Sequence, residues 1–315
     1  MSTNIENKNI SKKTAISISG SIAVAIAAIM WGVDGVLLTP RLLDNTGHPL
    51  NTSFVVFILH LIPFIIMNFV FYKQYSTLKQ FNLKDYIYMT LVALLGGALG
   101  TMCIVKALFL VNFQNLTIVA LLQKLQPIFA IILSVIILKE KLSKQYFLWA
   151  ALALVSGYIM TFGFNLPASA DDNIIQASLY ALGAAFCFGS STVFSKILLN
   201  KYTSPTITFF RYGFTTIIAL IICLISGSLL QFQIVPMKTW AIFLLIGFTT
   251  GSGAIFLYYY GLKKIKASVS SILELFFPIT AALLDYFINN NTMTAVQWIA
   301  AAIMIFSIVR LSKKE

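Results

Sequence analysis

Seven ionisable side chains interrupt otherwise apolar stretches of this 315-residue chain: Asp34, His60, Lys106, Lys124, Arg211, Glu274 and Asp285. If those stretches lie in lipid, each charge costs about 2.5–3.5 kcal/mol at a helix centre unless it is paired or hydrated, so each is a candidate for function. Lys124 and Glu274 stand out. Glu274 matches Gln123 in an internal repeat described below, and each is followed within four residues by a proline, Pro127 or Pro278. Proline frees a carbonyl one turn earlier, so the chain is expected to break beside Gln123 and Glu274 and expose backbone next to charge. Ser270, Ser271, Glu274 and Pro278 share one helix face, and Thr117 shares one with Lys124. A cation such as Lys124 or Arg211 suits a carboxylate or phosphate, Arg211 through its bidentate fork. Glu274 or Asp34 suits an ammonium group or a coupling proton. Trp31, Asp34, His60, Gln123, Lys124, Arg211, Ser270 and Glu274 form the candidate substrate-binding set.

Each candidate has a plainer reading. Lys124 and Glu274 make a purely structural ion pair in one alternative. Arg211 snorkels to an interface, His60 is a packing histidine, and Asp34 sits in water at a pore mouth. Lys106 and Asp285 lie near helix ends and snorkel. Tyr258, Tyr259 and Tyr260 read most simply as an interfacial aromatic belt.

The elements that position these groups are membrane helices. The chain is 59% hydrophobic and 10% charged, against about 25% charged in soluble domains. About 20 apolar residues in helix cross a bilayer. Ten such segments fit, at roughly 18–39, 52–72, 86–108, 115–138, 144–164, 175–199, 205–226, 239–262, 267–288 and 294–312. Continuous apolar runs exclude a membrane barrel, whose strands alternate. Residues 1–17 form a polar tail, and the first run is too long for a signal-peptide core and reads as a retained span.

Charge sets direction. The tail, alternate connections and C-terminus hold Lys8, Lys12, Lys13, Lys73, Lys79, Lys84, Lys139, Lys141, Lys144, Lys196, Lys201, Lys263, Lys264, Lys266, Arg310, Lys313 and Lys314. The other side holds Arg41, Lys238 and the acidic Asp171 and Asp172. Both termini are therefore expected in the cytoplasm. The net charge of +12 is topological and implies no nucleic-acid partner.

A shift of 151 positions aligns His60–Met160 with Arg211–Leu311 without a gap, matching Gly96 to Gly247, Gly100 to Gly251 and Pro127 to Pro278. The first helix pairs at a larger shift, Trp31-Gly32 answering Phe188-Gly189. With five spans in each half, 18–164 and 174–312, the second half enters upside down. Inverted repeats place a substrate site near the midplane, between halves that rock to give alternating access. The GxxxG pairs Gly96/Gly100 and Gly247/Gly251 allow close helix approach.

Catalytic and metal signatures such as HExxH, a P-loop or GxSxG are missing from the sequence. Cys103, Cys187 and Cys223 lie in apolar runs and form no CxxC pair. No cofactor or metal is expected, and no enzyme. The remaining alternatives are a membrane-embedded enzyme acting on lipid, a passive channel and a partner subunit. Short polar patches rather than long stripes favour a carrier over a channel.

With these marks assembled, the chain resembles the EamA-type family of the drug/metabolite transporter superfamily over residues 18–312. The resemblance rests on Trp31-Gly32, Phe188-Gly189 with Ser190-Ser191, Arg211, the two prolines and the Lys139-Glu140-Lys141-Leu142-Ser143 turn. His60 stands in place of a first-half arginine, Asn291 in place of a turn glutamate, and Asp34 in place of a small or amide residue. The resemblance implies an inner-membrane, multi-pass secondary transporter, commonly an exporter of amino acids or other small polar or zwitterionic metabolites. A proton is the candidate coupling ion, and a homodimer stays open. The topology makes one prediction. Cysteines placed beside Lys79 and Lys264 should react with a membrane-impermeant thiol reagent in inside-out vesicles and stay unlabelled in intact cells.

Overall fold

A computed structural model describes residues 2–111, 119, 122–162, 172–289 and 293–314. Thr117, Asp171, Asn291 and the start of the expected fourth span lie outside these residues. The described residues fold as helices: α1 (Ser2–Val33), α2 (Thr52–Phe71), α3 (Leu83–Leu110), α4 (Gln126–Ile137), α5 (Lys144–Phe162), α6 (Asp172–Leu199), α7 (Ser204–Ser226) and α8 (Met237–Lys264). They are followed by α9, in two pieces (Ala267–Leu273 and Phe276–Asn289), and α10 (Ala295–Lys314). Eight of these, α1–α3 and α6–α10, are long and apolar enough to cross a bilayer, with the first running over Ala15–Arg41. The fold is that of an all-helical, multi-pass membrane protein.

The outside of the bundle is greasy. Phe69, Ile225 and Phe287 are 70–83% exposed, as side chains that face lipid would be, and far beyond the apolar patches of soluble proteins. Buried hydroxyls return to their own helix, Ser190 to Phe186 O, Thr208 to Ser204 O and Ser307 to Ile303 O, so no polar atom of theirs is left to hydrocarbon.

The packing is regular. α1 crosses α8 and α3 crosses α6; α4 packs on α6 and α9 on α1; α2 meets α7 and α5 meets α10. Exchanging α1–α5 with α6–α10 in order maps this set of contacts onto itself. Both α3 and α8 loosen into a π-helical stretch, Val92–Leu99 and Gly247–Gly251, at overlapping repeat positions. The GxxxG glycines thus fall within or at the edge of π-helical backbone as well as at helix contacts. The expected break in α9 occurs at Glu274–Leu275, where Pro278 has no N–H for Glu274 O and Phe277 N donates to it instead at 3.0 Å. α4 starts after Lys124–Leu125 with Pro127 in its first turn, a position where the missing N–H costs nothing.

The lysine-bearing connections meet on one face. Lys201 Nζ and Tyr202 Oη both donate to Asp85, at 2.6 and 2.8 Å, and Lys264 Nζ donates to Ser19 Oγ at 3.1 Å. On the opposite face the 40–51 connection meets the 228–236 segment, through Asn45 N to Ile234 O and Asn51 N to Gln231 Oε1. Asp85 also forms a capping box with Asn82 at the start of α3 and is 1% exposed. Asp85→Ala should therefore destabilise by about 1–2 kcal/mol, from the lost cap and the lost hydrogen bond from Tyr202, whose hydroxyl keeps Gln80 O as an acceptor at 3.2 Å. Lys201→Ala should cost under about 1 kcal/mol, because that side chain is 45% exposed. Thermal unfolding of both variants in detergent measures the difference.

Candidate functional site

A cavity of about 250 Å³ lies among α1–α4 and α6–α9. Seven of the eight candidate binding residues line it: Trp31, Asp34, His60, Gln123, Lys124, Arg211 and Glu274. Ser270 does not; its neighbour Ser271 takes that wall position. Pro127 and Pro278 line it too, so the helix breaks and the cavity coincide.

Arg211 is 7% exposed and does not snorkel. Its Nη1 donates to Tyr259 Oη at 2.8 Å and its Nη2 to Gly96 O at 2.7 Å. The π-helical stretch of α3 makes this possible, since a wider turn leaves carbonyls turned outward. Ser191 Oγ takes Val92 O at 3.4 Å and Thr215 Oγ1 takes Ala93 O at 3.3 Å. Three side chains from α6 and α7 thus occupy carbonyls of one distorted helix. Gly96 is required there, because a Cβ would collide with the Ser191 side chain and lie 3.3 Å from Arg211 Nη2.

Glu274 is held from two other helices. Tyr258 Oη donates to its Oε1 at 2.7 Å, and Gln126 Nε2 donates to its Oε2. The Tyr258 hydroxyl also meets Thr192 Oγ1 at 2.8 Å, and the Trp31 ring lies 5.3 Å from the Tyr258 ring. Lys124, 6% exposed, donates to Gly157 O at 3.1 Å on α5. The structural alternative of a Lys124–Glu274 ion pair is therefore corrected: the carboxylate bonds to neutral donors, and the ammonium bonds to a backbone carbonyl. His60 Nδ1 bonds Val56 O at 2.8 Å in its own helix, with the Tyr212 ring tilted 36° to it and 5.1 Å away. Asp34 opens the π-helical end of α1 and accepts from Thr39 Oγ1 at 3.2 Å.

Of the three tyrosines read as an interfacial belt, Tyr260 alone is exposed, 46% against Lys264. Tyr258 and Tyr259 are buried and bind the two principal charges. Lys106 is exposed. The sequence reading also passed over Gln126 in favour of Gln123. Their three-residue spacing puts them on one helix face, which was the available signal. Gly32 fixes how α1 approaches this site, since a Cβ there would come within 2.6 Å of Thr280 Cβ on α9.

The helical bundle and its interior cavity, lined by apolar side chains with a few buried charges, are, together with the family match that follows, those of a membrane transport protein. A model of the EamA-like transporter family matches residues 18–162 and 175–312, and the chain belongs to that family. It is 49% identical over 298 residues to the riboflavin transporter ImpX of Fusobacterium nucleatum, covering 94% of this chain and 98% of the relative. An uncharacterised transporter of Synechocystis is 24% identical over 272 residues, covering 84% of this chain and 77% of that one. One solved crystal structure superposes with a TM-score of 0.66 at 14% identity, covering 92% of this chain and 97% of that one, a likeness of fold alone. Small-metabolite transport is the activity of this family.

Overpacking at Gly96 is the sharpest test of the Arg211 anchor. Gly96→Ala should destabilise the protein by about 1–3 kcal/mol. Gly183→Ala, whose added Cβ meets only Cys103 Sγ at 3.6 Å, should stay within about 0.5 kcal/mol. Detergent melting curves of the two variants compare them directly.

Proposed function

We propose that this chain is a secondary carrier of riboflavin, working by alternating access between two inverted five-helix halves, in the cell's inner membrane with both termini in the cytoplasm. The observation that carries the substrate is the 49% identity, along 98% of its length, to a transporter named for riboflavin. The contact pattern that survives exchange of the halves supports the inverted repeat, and the meeting of the lysine-bearing connections on one face supports the orientation.

The chemistry of the cavity agrees with a flavin better than with an amino acid. An amino acid asks for a cation and an anion both facing the solute. Here both Nη groups of Arg211 are used inside the protein, and both Glu274 oxygens accept from Tyr258 and Gln126. Riboflavin is uncharged, flat and tricyclic, with an imide edge and a hydroxylated chain. Trp31, Phe188 and Phe277 offer aromatic surface to such a ring, and Gln123, Ser191 and Thr192 offer hydrogen-bonding groups. Glu274 is the proposed site of the coupling proton. Protonation of Oε1 would reverse its bond with Tyr258 and turn that hydroxyl's proton away from the carboxyl, so the charge state of Glu274 and the walls of the cavity change together.

Reconstituted protein should take up fluorescent riboflavin with saturation and counter-exchange, faster under a pH gradient. Loading each side in turn gives the direction. Glu274→Gln and Lys124→Ala should lower flux at least about tenfold, the scale of one charged hydrogen bond, with membrane insertion unchanged. Flux of riboflavin no greater than that of empty liposomes would remove the flavin reading, and wild-type flux in both variants would remove these two residues from the site.

A further inference from the structure

The cavity is one-sided. It reaches Thr39 and Leu108, near the ends of α1 and α3 on the lysine-poor face, but toward the lysine-rich face it stops at Ser195, Tyr258 and Ser271. A second cavity opens on the lysine-rich face, walled by Glu140, Lys196, Lys264, Lys266 and Val269 among others. No residue lines both cavities. Two segments separate them: the first piece of α9, with Val269 on one side and Ser271 on the other, and α6, with Lys196 and Ser195.

That piece lacks a cap of its own. Lys266 precedes it, and no side chain of its own chain segment reaches the free amides. Glu140 supplies the cap from the connection between α4 and α5, more than 120 positions away. Its Oε1 accepts from Ala267 N at 2.8 Å, and its Oε2 accepts from Ser268 N at 3.2 Å and from Ser268 Oγ at 2.5 Å. Two further bonds flank it, Tyr146 Oη to Ser268 O at 2.9 Å and Lys266 Nζ to Lys141 O at 3.1 Å. Lys139, next to Glu140, adopts φ 55°, a left-handed conformation uncommon for any residue but glycine, asparagine or aspartate. It turns the chain at the end of α4, where glycine is the usual occupant. The turn presents Glu140 to α9.

We infer that Glu140 is the clasp of a gate on the lysine-rich face: it fastens the first half of the protein to a helical segment that, together with α6, separates the central cavity from that face, and transport requires its release. The inference rests on the chain being a transporter and is independent of the flavin assignment. A carboxylate on two amides and a hydroxyl is a charge-assisted link, and it closes on a helix N-terminus, where negative charge is favoured. The repeat gives the device a direction. The position matching Glu140 in the second half is Asn291, an uncharged residue, so the sequence places no carboxylate at the corresponding position. Ser268 and Ala267 lead within seven residues to Glu274, so movement at the clasp is transmitted along one short helix to the groups in the cavity.

The test uses the full chain in inside-out vesicles. Ser271→Cys is labelled by an impermeant maleimide from the lysine-rich side, and background from the native cysteines is subtracted with the chain lacking that change. Adding Glu140→Ala should raise the labelling rate at least about tenfold, as loss of a charged link predicts; Glu140→Gln, which keeps the shape and is the gentler variant for folding, should give a smaller rise. Equal rates with and without Glu140 would overturn the clasp. In a second arm, Glu140→Cys and Ser268→Cys are joined by a short reducible crosslinker. Riboflavin flux should stop on linking and return on reduction, and flux unaffected by linking would also overturn the clasp. If the wild-type protein carries no riboflavin, the flavin reading fails while the labelling arm still decides the gate.

Discussion

The whole arrangement depends on keeping a guanidinium and a carboxylate inside a bundle whose outer surface is apolar. Neither charge can be left to hydrocarbon. The solution is to spread each over neutral groups on other helices rather than to pair them. Arg211 takes a phenol from α8 and a carbonyl from α3, and Glu274 takes a phenol from α8 and an amide from α4. Adjacent tyrosines 258 and 259 therefore serve opposite charges, and α8 becomes the strut between them. A direct ion pair would have been held by two side chains; this network ties the positions of five helices together.

Local backbone irregularities make those contacts possible. In a regular α-helix each carbonyl already accepts a backbone N–H, so an outside donor must share it. The π-helical stretch of α3 lends three, to Ser191, Arg211 and Thr215. The break at Glu274 stops α9 where its carboxylate must enter the cavity. Each irregularity therefore sits where a charged side chain needs an outside partner.

Much of this was legible in the sequence. Helix limits agreed to within about three residues for the spans that are described throughout, because membrane thickness fixes length and lysine marks the ends. The break beside Glu274 followed from Pro278, and seven of eight candidate residues reached one cavity because charge in lipid is expensive enough to be informative. What escaped depended on distances between helices. Tyr258 and Tyr259 look like a belt when only their depth is known; their partners lie more than 45 residues away on α7, or 16 residues on along the chain at Glu274. Gln126 was hidden by its likeness to Gln123, and the π-helical geometry of α3 has no residue signature beyond glycines that plain packing also explains. Ser270 was off by one residue, which on a helix turns a side chain by about 100° and out of the wall.

The two halves share a framework but not a chemistry. Gln123 matches Glu274, His60 matches Arg211, Gln126 matches Phe277 and Glu140 matches Asn291. In each pair one member is charged or polar where the other is neutral, aromatic or a weaker base. Under the proposed alternating access, a strictly symmetric pair of halves would make the two access states equal in energy, each related to the other by a two-fold axis in the membrane plane. Divergence at these positions breaks that equality while leaving the crossings of α1 on α8 and α3 on α6 intact. On the proposed mechanism the framework would keep two packings within reach of each other, and the substituted pairs would decide which is lower. The structure shows the packing in which the charged member of the last pair, Glu140, is bonded and the cavity reaches the opposite face.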